Sequence, residues 1–160
     1  MDRTAVRLTT PRVLALYARL RCDGTIMKKR TRKIRVEILK ELDFLESLSR
    51  RCRRDRDILM ALGDLYTKVG RHEEGLKIDL ELSALCPGES VVWYNLACSY
   101  ALIARKDEAL SSLARAVDLG YRDVSWIRKD SDLESIRQDQ RFEALLQRLL
   151  TGQNSTPRSV

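Results

Sequence analysis

The chain repeats itself once with a period of 34 residues: residues 56–89 read RDILMALGDLYTKVGRHEEGLKIDLELSALCPGE, and residues 90–123 read SVVWYNLACSYALIARKDEALSSLARAVDLGYRD. Sliding the first stretch onto the second brings residues of the same size class together at positions 59 and 93, 62 and 96, 63 and 97, 66 and 100, and 75 and 109. Self-similarity at a fixed period of this length is the sequence signature of repeat architectures. We therefore expect two copies of one structural unit.

Each copy has the pattern of two helices that pack closely. In the first copy, Leu59, Leu62 and Tyr66 are three and four residues apart, which places them on one face of a helix. Gly63 and Gly75 are small residues of the kind that lets two antiparallel helices approach each other. The second copy carries the same pattern, so the sequence predicts two helix pairs.

A turn between the two helices is predicted at Gly70, because glycine adopts the positive φ that commonly ends a helix. The second copy has Ala104 at this position. We expect its turn to be tighter to the helix and less glycine-like.

The pattern resembles the tetratricopeptide repeat, a helix–turn–helix unit of 34 residues with a large residue, Leu, a small residue and Tyr in its first helix. Pro87 stands at the closing proline position of that family. The resemblance implies an all-α fold: a short tetratricopeptide-like solenoid of antiparallel helix pairs with capping helices at both ends, similar to small bacterial members.

The period also predicts the domain organisation. One step backwards, Ile34, Ile38, Leu42, Leu45 and Leu48 form the apolar stripe of an amphipathic helix over 34–51, which fits half a repeat. The predicted segments are a basic, partly disordered arm at 1–33, a helical domain at 34–150 with a half repeat at 34–53, repeats at 56–89 and 90–123 and a cap at 124–150, and a disordered tail at 151–160.

The end of the helical domain departs from the repeat, as terminal units of such arrays must to avoid exposing an apolar face. It is similar to a degenerate ending of bacterial tetratricopeptide proteins. Asp139 is expected to cap the last helix, and Phe142, Leu145 and Leu149 to form its buried stripe. Asp130 and Asp132 are expected to act in a turn and a cap.

Charge is divided unevenly along the chain, whose net charge is +7. Residues 1–56 hold 17 Lys and Arg against 7 Asp and Glu, whereas residues 57–160 hold 13 against 16. The basic excess therefore belongs to the N-terminal third, and any argument for nucleic-acid binding rests on that third alone.

The strongest basic run spans residues 27–35, where Met27-Lys28-Lys29 also resembles a translation start. One interpretation is a solvated lead into the first helix. The alternative is an arm that contacts the phosphates of RNA or DNA, with salt-dependent and sequence-independent affinity. The candidate nucleic-acid contacts are Lys28, Lys29, Arg30, Arg32, Lys33 and Arg35.

Nothing in the sequence predicts catalysis. His72 is the single histidine and falls in a predicted turn, where we expect it to be solvated. The four cysteines form no CxxC pair and fit no zinc-site spacing, so they are expected to be reduced packing residues. We expect no catalytic residues, no metal and no cofactor. Apolar runs are shorter than the ~20 residues of a membrane span, so no membrane is expected either.

The resemblance implies a binding groove lined by the first helix of each unit. The predicted groove residues are Asp57, Met60, Asp64, Lys68, Val91, Tyr94, Asn95, Cys98 and Leu102. Asn95 matches the asparagine with which members that bind acidic tails hold the peptide backbone. Met60 and Asp64 occupy two clamp positions where those members need basic residues, so an apolar or mixed ligand is favoured instead.

The alternative for these residues is that they pack against the half repeat or the C-terminal cap, which would leave the groove shallow. The function expected from the sequence is a non-catalytic module or scaffold that binds another protein or a peptide in the cytoplasm. A nucleic-acid or ribosome-associated protein is the alternative. The pattern specifies neither the partner's identity nor the oligomeric state.

Overall fold

The computed structural model describes residues 24–52 and 54–151. Every regular element among them is a helix, which confirms the all-α class. The elements are α1 (Gly24–Arg51), α2 (Arg56–Val69), α3 (His72–Leu85), α4 (Ser90–Leu102), α5 (Lys106–Asp118), α6 (Val124–Lys129), a 3₁₀ segment (Ser131–Ile136) and α7 (Gln140–Leu150). The predicted arm before residue 24 and the predicted tail after residue 151 lie outside the described residues. None of the described helices is both long and apolar enough to cross a membrane.

Helix α1 begins at Gly24, whereas the sequence predicts its start at Ile34. Residues 25–51 contain neither glycine nor proline and are rich in Lys, Arg, Leu and Glu, which favour helices. The apolar period that marks the packed half of α1 therefore does not mark where the helix begins. Residues 24–33, assigned to the arm from the sequence, are helical.

The C-terminal half of α1 packs on α2. Leu42 is only 3% exposed and contacts a cluster that contains Leu62, Leu65 and Tyr66. The hydroxyl of Tyr66 donates a hydrogen bond of 2.9 Å to Oε1 of Glu46. At 1.5 Å rise per residue, α1 is about 42 Å long and α2 about 21 Å, so roughly half of α1 extends beyond the helix on which it packs.

The turns that end α2 and α4 have the same geometry. Gly70 has φ +78° and Ala104 has φ +60°, so both are left-handed. In each turn, the next residue donates its backbone N–H to the carbonyl five residues earlier, with N···O 2.9 Å. The expectation that the Ala104 turn is less glycine-like is wrong, because the hydrogen bonds that close the turn demand this φ from either residue.

Small residues lie where the paired helices approach each other. A Cβ on Gly63 would be 3.2 Å from Oδ1 of Asp79 on α3, and a Cβ on Gly75 would be 3.5 Å from Cβ of Tyr66. In the second pair, Ala97 and Ala109 are fully buried. Consecutive helices can therefore pack at short range in both pairs.

The C-terminal cap, residues 124–150, closes the largest part of the core. It buries side chains against α4 and α5, namely Ile127, Leu133, Ile136, Phe142 and Leu146. Asp139 caps α7 as predicted, since its Oδ1 accepts the N–H of Arg141 at 2.9 Å. The predicted stripe is confirmed at Phe142, with Leu145 and Leu149 partly buried, but the sequence analysis missed Leu146.

Candidate functional site

A cavity of about 440 Å³, here called the α4–α6 cavity, opens where α2, α4 and the start of the C-terminal cap meet. Its walls combine aromatic rings, carboxylates and two lysines. The lining residues are Asp64, Thr67, Lys68, Val91, Tyr94, Asn95, Tyr121, Asp123, Trp126, Lys129, Asp130, Ser131 and Asp132.

The cavity brings together five of the nine predicted groove residues: Asp64, Lys68, Val91, Tyr94 and Asn95. They come from α2 and α4, whose spacing of one repeat places them on neighbouring helices. The other four, Asp57, Met60, Cys98 and Leu102, do not line it. Met60 contacts one lining residue, because its Sδ accepts a long hydrogen bond of 3.8 Å from Nδ2 of Asn95.

Tyr94 is buried by the C-terminal cap. Its ring stacks on Tyr121, with centroids 4.3 Å apart and planes 2° from parallel. Its hydroxyl donates to Oδ2 of Asp130 at 2.6 Å. Burial, the neighbouring Cys98 and the hydrogen bond to Asp130 raise the pKa of Tyr94 far above its usual range, so the phenol stays a neutral donor.

Two predicted groove residues are therefore not exposed anchors: Tyr94 is 2% exposed and Cys98 is 1% exposed. The cap covers them because it folds back onto α4 instead of continuing as a regular repeat. Tyr94 and Cys98 thus pack against the C-terminal cap, which is the alternative that the sequence left open, and Tyr94 also lines the α4–α6 cavity.

Asp130 is the centre of the hydrogen bonds at the base of the cavity. It is 6% exposed. Its Oδ2 accepts from Tyr94 and, at 3.7 Å, from the Cys98 thiol. Its Oδ1 accepts the N–H of Asp132 at 3.0 Å and so caps the 3₁₀ segment, as predicted from the sequence.

One atom each from Cys98, Asp130 and Asp132 lie within 4.8 Å of one another. Thiolate and carboxylates are metal-ligand types, but a thiol that donates a hydrogen bond to a carboxylate is protonated. In this geometry the three groups act as a hydrogen-bond cluster that ties α4 to the C-terminal cap.

The cap also contributes lining residues that the sequence analysis did not assign to a site. Trp126 is 47% exposed at the cavity, beside Tyr121 and Lys129. Oδ1 of Asp123 accepts the N–H of Trp126 at 2.9 Å, and this backbone hydrogen bond, then that from the Ser125 hydroxyl, lowers the pKa of Asp123. Tyr121 and Trp126 are two aromatic residues within six positions of the chain, a signal that was not used to predict a site.

A second cavity of about 370 Å³ lies between α5 and α7. Its lining is mainly small and apolar, with Arg141 and Arg148 at its edges. Arg141 pairs with Asp107 and Asp139, and Arg148 pairs with Asp118. None of the predicted groove residues lines this cavity.

The other predicted residues lie apart from the α4–α6 cavity. The run from Lys28 to Arg35 belongs to α1, with Arg35 exposed. The side chains of residues 28–33 lie outside the described ones. His72 is not the fully solvated residue expected: it is half-buried at the start of α3, and its Nδ1 is buried with no hydrogen-bond partner among the described residues.

Comparison with known proteins gives a partial likeness. No family model matches the chain. The chain is similar to a protein of Arabidopsis thaliana whose name describes it as chloroplastic, with 35% identity over 107 residues. The match covers 65% of this chain and 31% of that protein, so the chain spans less than a third of the length of this curated relative.

Proposed function

We propose that the chain is a non-catalytic protein-interaction module that binds a peptide or a partner helix at the α4–α6 cavity. The observation that carries this proposal is that one cavity is lined by five predicted groove residues, two from α2 and three from α4, the helices that begin 34 positions apart. The C-terminal cap contributes Trp126 to the lining, a residue type enriched among the anchors of protein interfaces.

We further propose that the helices form a tetratricopeptide-like solenoid. Supporting it are the two left-handed turns 34 positions apart, at Gly70 and Ala104, with matching hydrogen bonds. The arginines that follow these turns support it as well, because each stacks on a tyrosine in the last turn of the preceding helix, at 4.7 Å and 4.9 Å from the ring centroid.

The proposed mechanism is rigid display. Stacking of Tyr94 on Tyr121 and the hydrogen bond from Tyr94 to Asp130 join α4 to the C-terminal cap, so the two walls keep their spacing. A partner that fills a preformed cavity orders few protein side chains, which reduces the entropic cost of binding.

A pull-down with matched variants tests the proposal. Trp126→Ala removes an exposed ring from the cavity, and Phe44→Ala removes an exposed ring from α1, with 47% and 63% of the residue exposed. We expect Trp126→Ala to lose partners that the wild-type chain and Phe44→Ala retain. Identical partner sets for all three proteins would overturn the proposal.

A second candidate function is favoured by the length of α1. The basic run belongs to the half of this helix that extends beyond α2, and residues 24–35 contain six Lys and Arg and no acid. Such a helix can neutralise several phosphates of RNA or DNA. Generic RNA should then bind at low salt and be released steeply as salt rises, and absence of binding at low salt would remove this candidate.

The proposed location is the cytoplasm, where the cysteines would stay reduced. The name of the Arabidopsis relative assigns that protein to the chloroplast, which makes a plastid the competing location. A fluorescent protein fused to the C-terminus of the full chain distinguishes the two.

A further inference from the structure

Asp130 lines the α4–α6 cavity, and its buried carboxylate forms no ion pair with a described residue. Its three hydrogen-bond donors are the Tyr94 hydroxyl, the Cys98 thiol and the Asp132 N–H, and all are neutral. Arg137 donates to the backbone carbonyl of Asp130 rather than to its carboxylate. Among the described residues, no lysine or arginine pairs with that carboxylate.

Buried carboxylates are normally compensated by a positive charge, because burial removes the water that would solvate them. The attraction between opposite charges is also stronger where water is excluded. A cation that enters the cavity from outside would therefore gain more at Asp130 than at an exposed carboxylate.

The rest of the cavity lining suits a long cationic side chain. Tyr121 and the exposed ring of Trp126 can contact its aliphatic stem or its charge, since aromatic faces attract ammonium and guanidinium groups. Asp123 and Asp132 add negative charge at the same wall.

Two lysines of the chain also line the cavity and must be considered as competitors. Lys68 is held by Asp64 in an ion pair of 2.5 Å on α2. Lys129 is exposed at the end of α6. Four carboxylates against two ammonium groups leave the lining negative.

We propose that the α4–α6 cavity binds a lysine or arginine side chain of the partner, with its charge directed to Asp130 and its stem against Trp126. This inference rests on the proposed function and adds the chemistry of the ligand. It predicts a basic partner sequence, which is the opposite of the acidic tails bound by clamp-type repeats.

The test is a selection from a random 12-residue peptide library displayed on phage, with the full chain as bait and Trp126→Ala as the counter-selection bait. Peptides kept by wild type but not by Trp126→Ala are expected to be enriched in Lys or Arg. An enriched peptide is then synthesised with citrulline, a neutral isostere, in place of arginine, or with norleucine in place of lysine. We expect this change to weaken binding about tenfold or more.

Variants of the chain test the assignment to Asp130. Asp130→Asn should lower the affinity for the basic peptide about tenfold. Lys129→Met should raise that affinity about twofold to threefold, because it removes a like charge. Phe44→Ala should leave affinity unchanged. Circular dichroism shows whether Asp130→Asn folds. If it does not fold, the affinity of Lys129→Met for the basic peptide and the affinity of wild type for the neutral peptides test the cationic ligand.

The outcomes separate this inference from the proposed function. Two results would overturn the proposal of a cationic ligand without contradicting the proposed interaction module. One is enrichment of acidic or neutral peptides at the cavity, and the other is equal affinity for the basic peptide and its neutral isostere. A selection that yields no peptide sensitive to Trp126→Ala would overturn both.

Discussion

At the scale of single residues, the two turns show how one geometry is met by different side chains. Gly70 and Ala104 are both left-handed, although this conformation costs an L-residue about 1–2 kcal/mol. A Cβ on Gly70 would meet nothing within 4 Å. The difference between the two positions therefore lies in backbone strain and not in packing.

Exchanging these residues should change stability in opposite directions. Ala104→Gly should raise the free energy of unfolding by about 0.5–1 kcal/mol, because the relief of strain exceeds the entropy that glycine loses. Gly70→Ala should lower it by about 1 kcal/mol. Urea denaturation followed by circular dichroism measures both changes.

Gly88→Ala is the matched control, since a Cβ there also meets nothing within 4 Å and its φ is not positive. It should be neutral or slightly stabilising. A loss of stability in Ala104→Gly would contradict the left-handed geometry of that turn.

The residues buried behind the cavity mark the limit of what the pattern could predict. The period places Asp64 and Lys68 on α2 and Asn95 on α4, and all three line the α4–α6 cavity. The pattern assigned Tyr94 and Cys98 to the groove and left packing against the C-terminal cap as the alternative. The shorter α6 and the 3₁₀ segment fold onto α4 instead, and that packing depends on contacts such as the Tyr94–Tyr121 stack, which no local pattern encodes.

At the scale of elements, the capping residue of α7 was predicted from the sequence, whereas the first residue of α1 was not. Asp139 was identified from its place before an apolar stripe, and it does cap α7. The start of α1 was not identified, because Lys and Arg favour helices without forming an apolar period. Local hydrogen-bond chemistry is visible in sequence, whereas the extent of a charged helix is not.

The cap of α7 should make stability depend on pH. The hydrogen bond from the Arg141 side chain, then that from its backbone N–H, lowers the pKa of Asp139 from 3.8 to about 2. Because the folded-state pKa is the lower one, ionised Asp139 stabilises the protein above about pH 4, and this contribution disappears as pH falls toward about 2.

Asp139→Asn is the matched variant, since asparagine also caps helices but does not titrate. The gap in free energy of unfolding between wild type and Asp139→Asn should be widest near neutral pH and should shrink as pH falls from about 4 to about 2. Urea denaturation at several pH values measures it. A gap that stays constant over this range would show that the Asp139 carboxyl is not coupled to folding.

At the scale of the whole molecule, positive and negative charge belong to different parts of the chain. The sequence places the basic excess in the first third, and the structure places carboxylates at the α4–α6 cavity, between the second repeat and the C-terminal cap. Charge counts predicted the first feature. The second feature could be found only from the fold, because Asp64 lies 59 positions before Asp123 in the sequence.

The most direct test of the central claim, that the α4–α6 cavity is the partner-binding site, is a ¹⁵N NMR titration of the full chain with the selected peptide. We predict that the resonances of the Trp126 indole N–H and of the Asn95 and Tyr121 backbone amides shift with one common affinity. The backbone amide resonance of Phe44 should not shift. Shifts confined to α1, or to the cavity between α5 and α7, would contradict the claim.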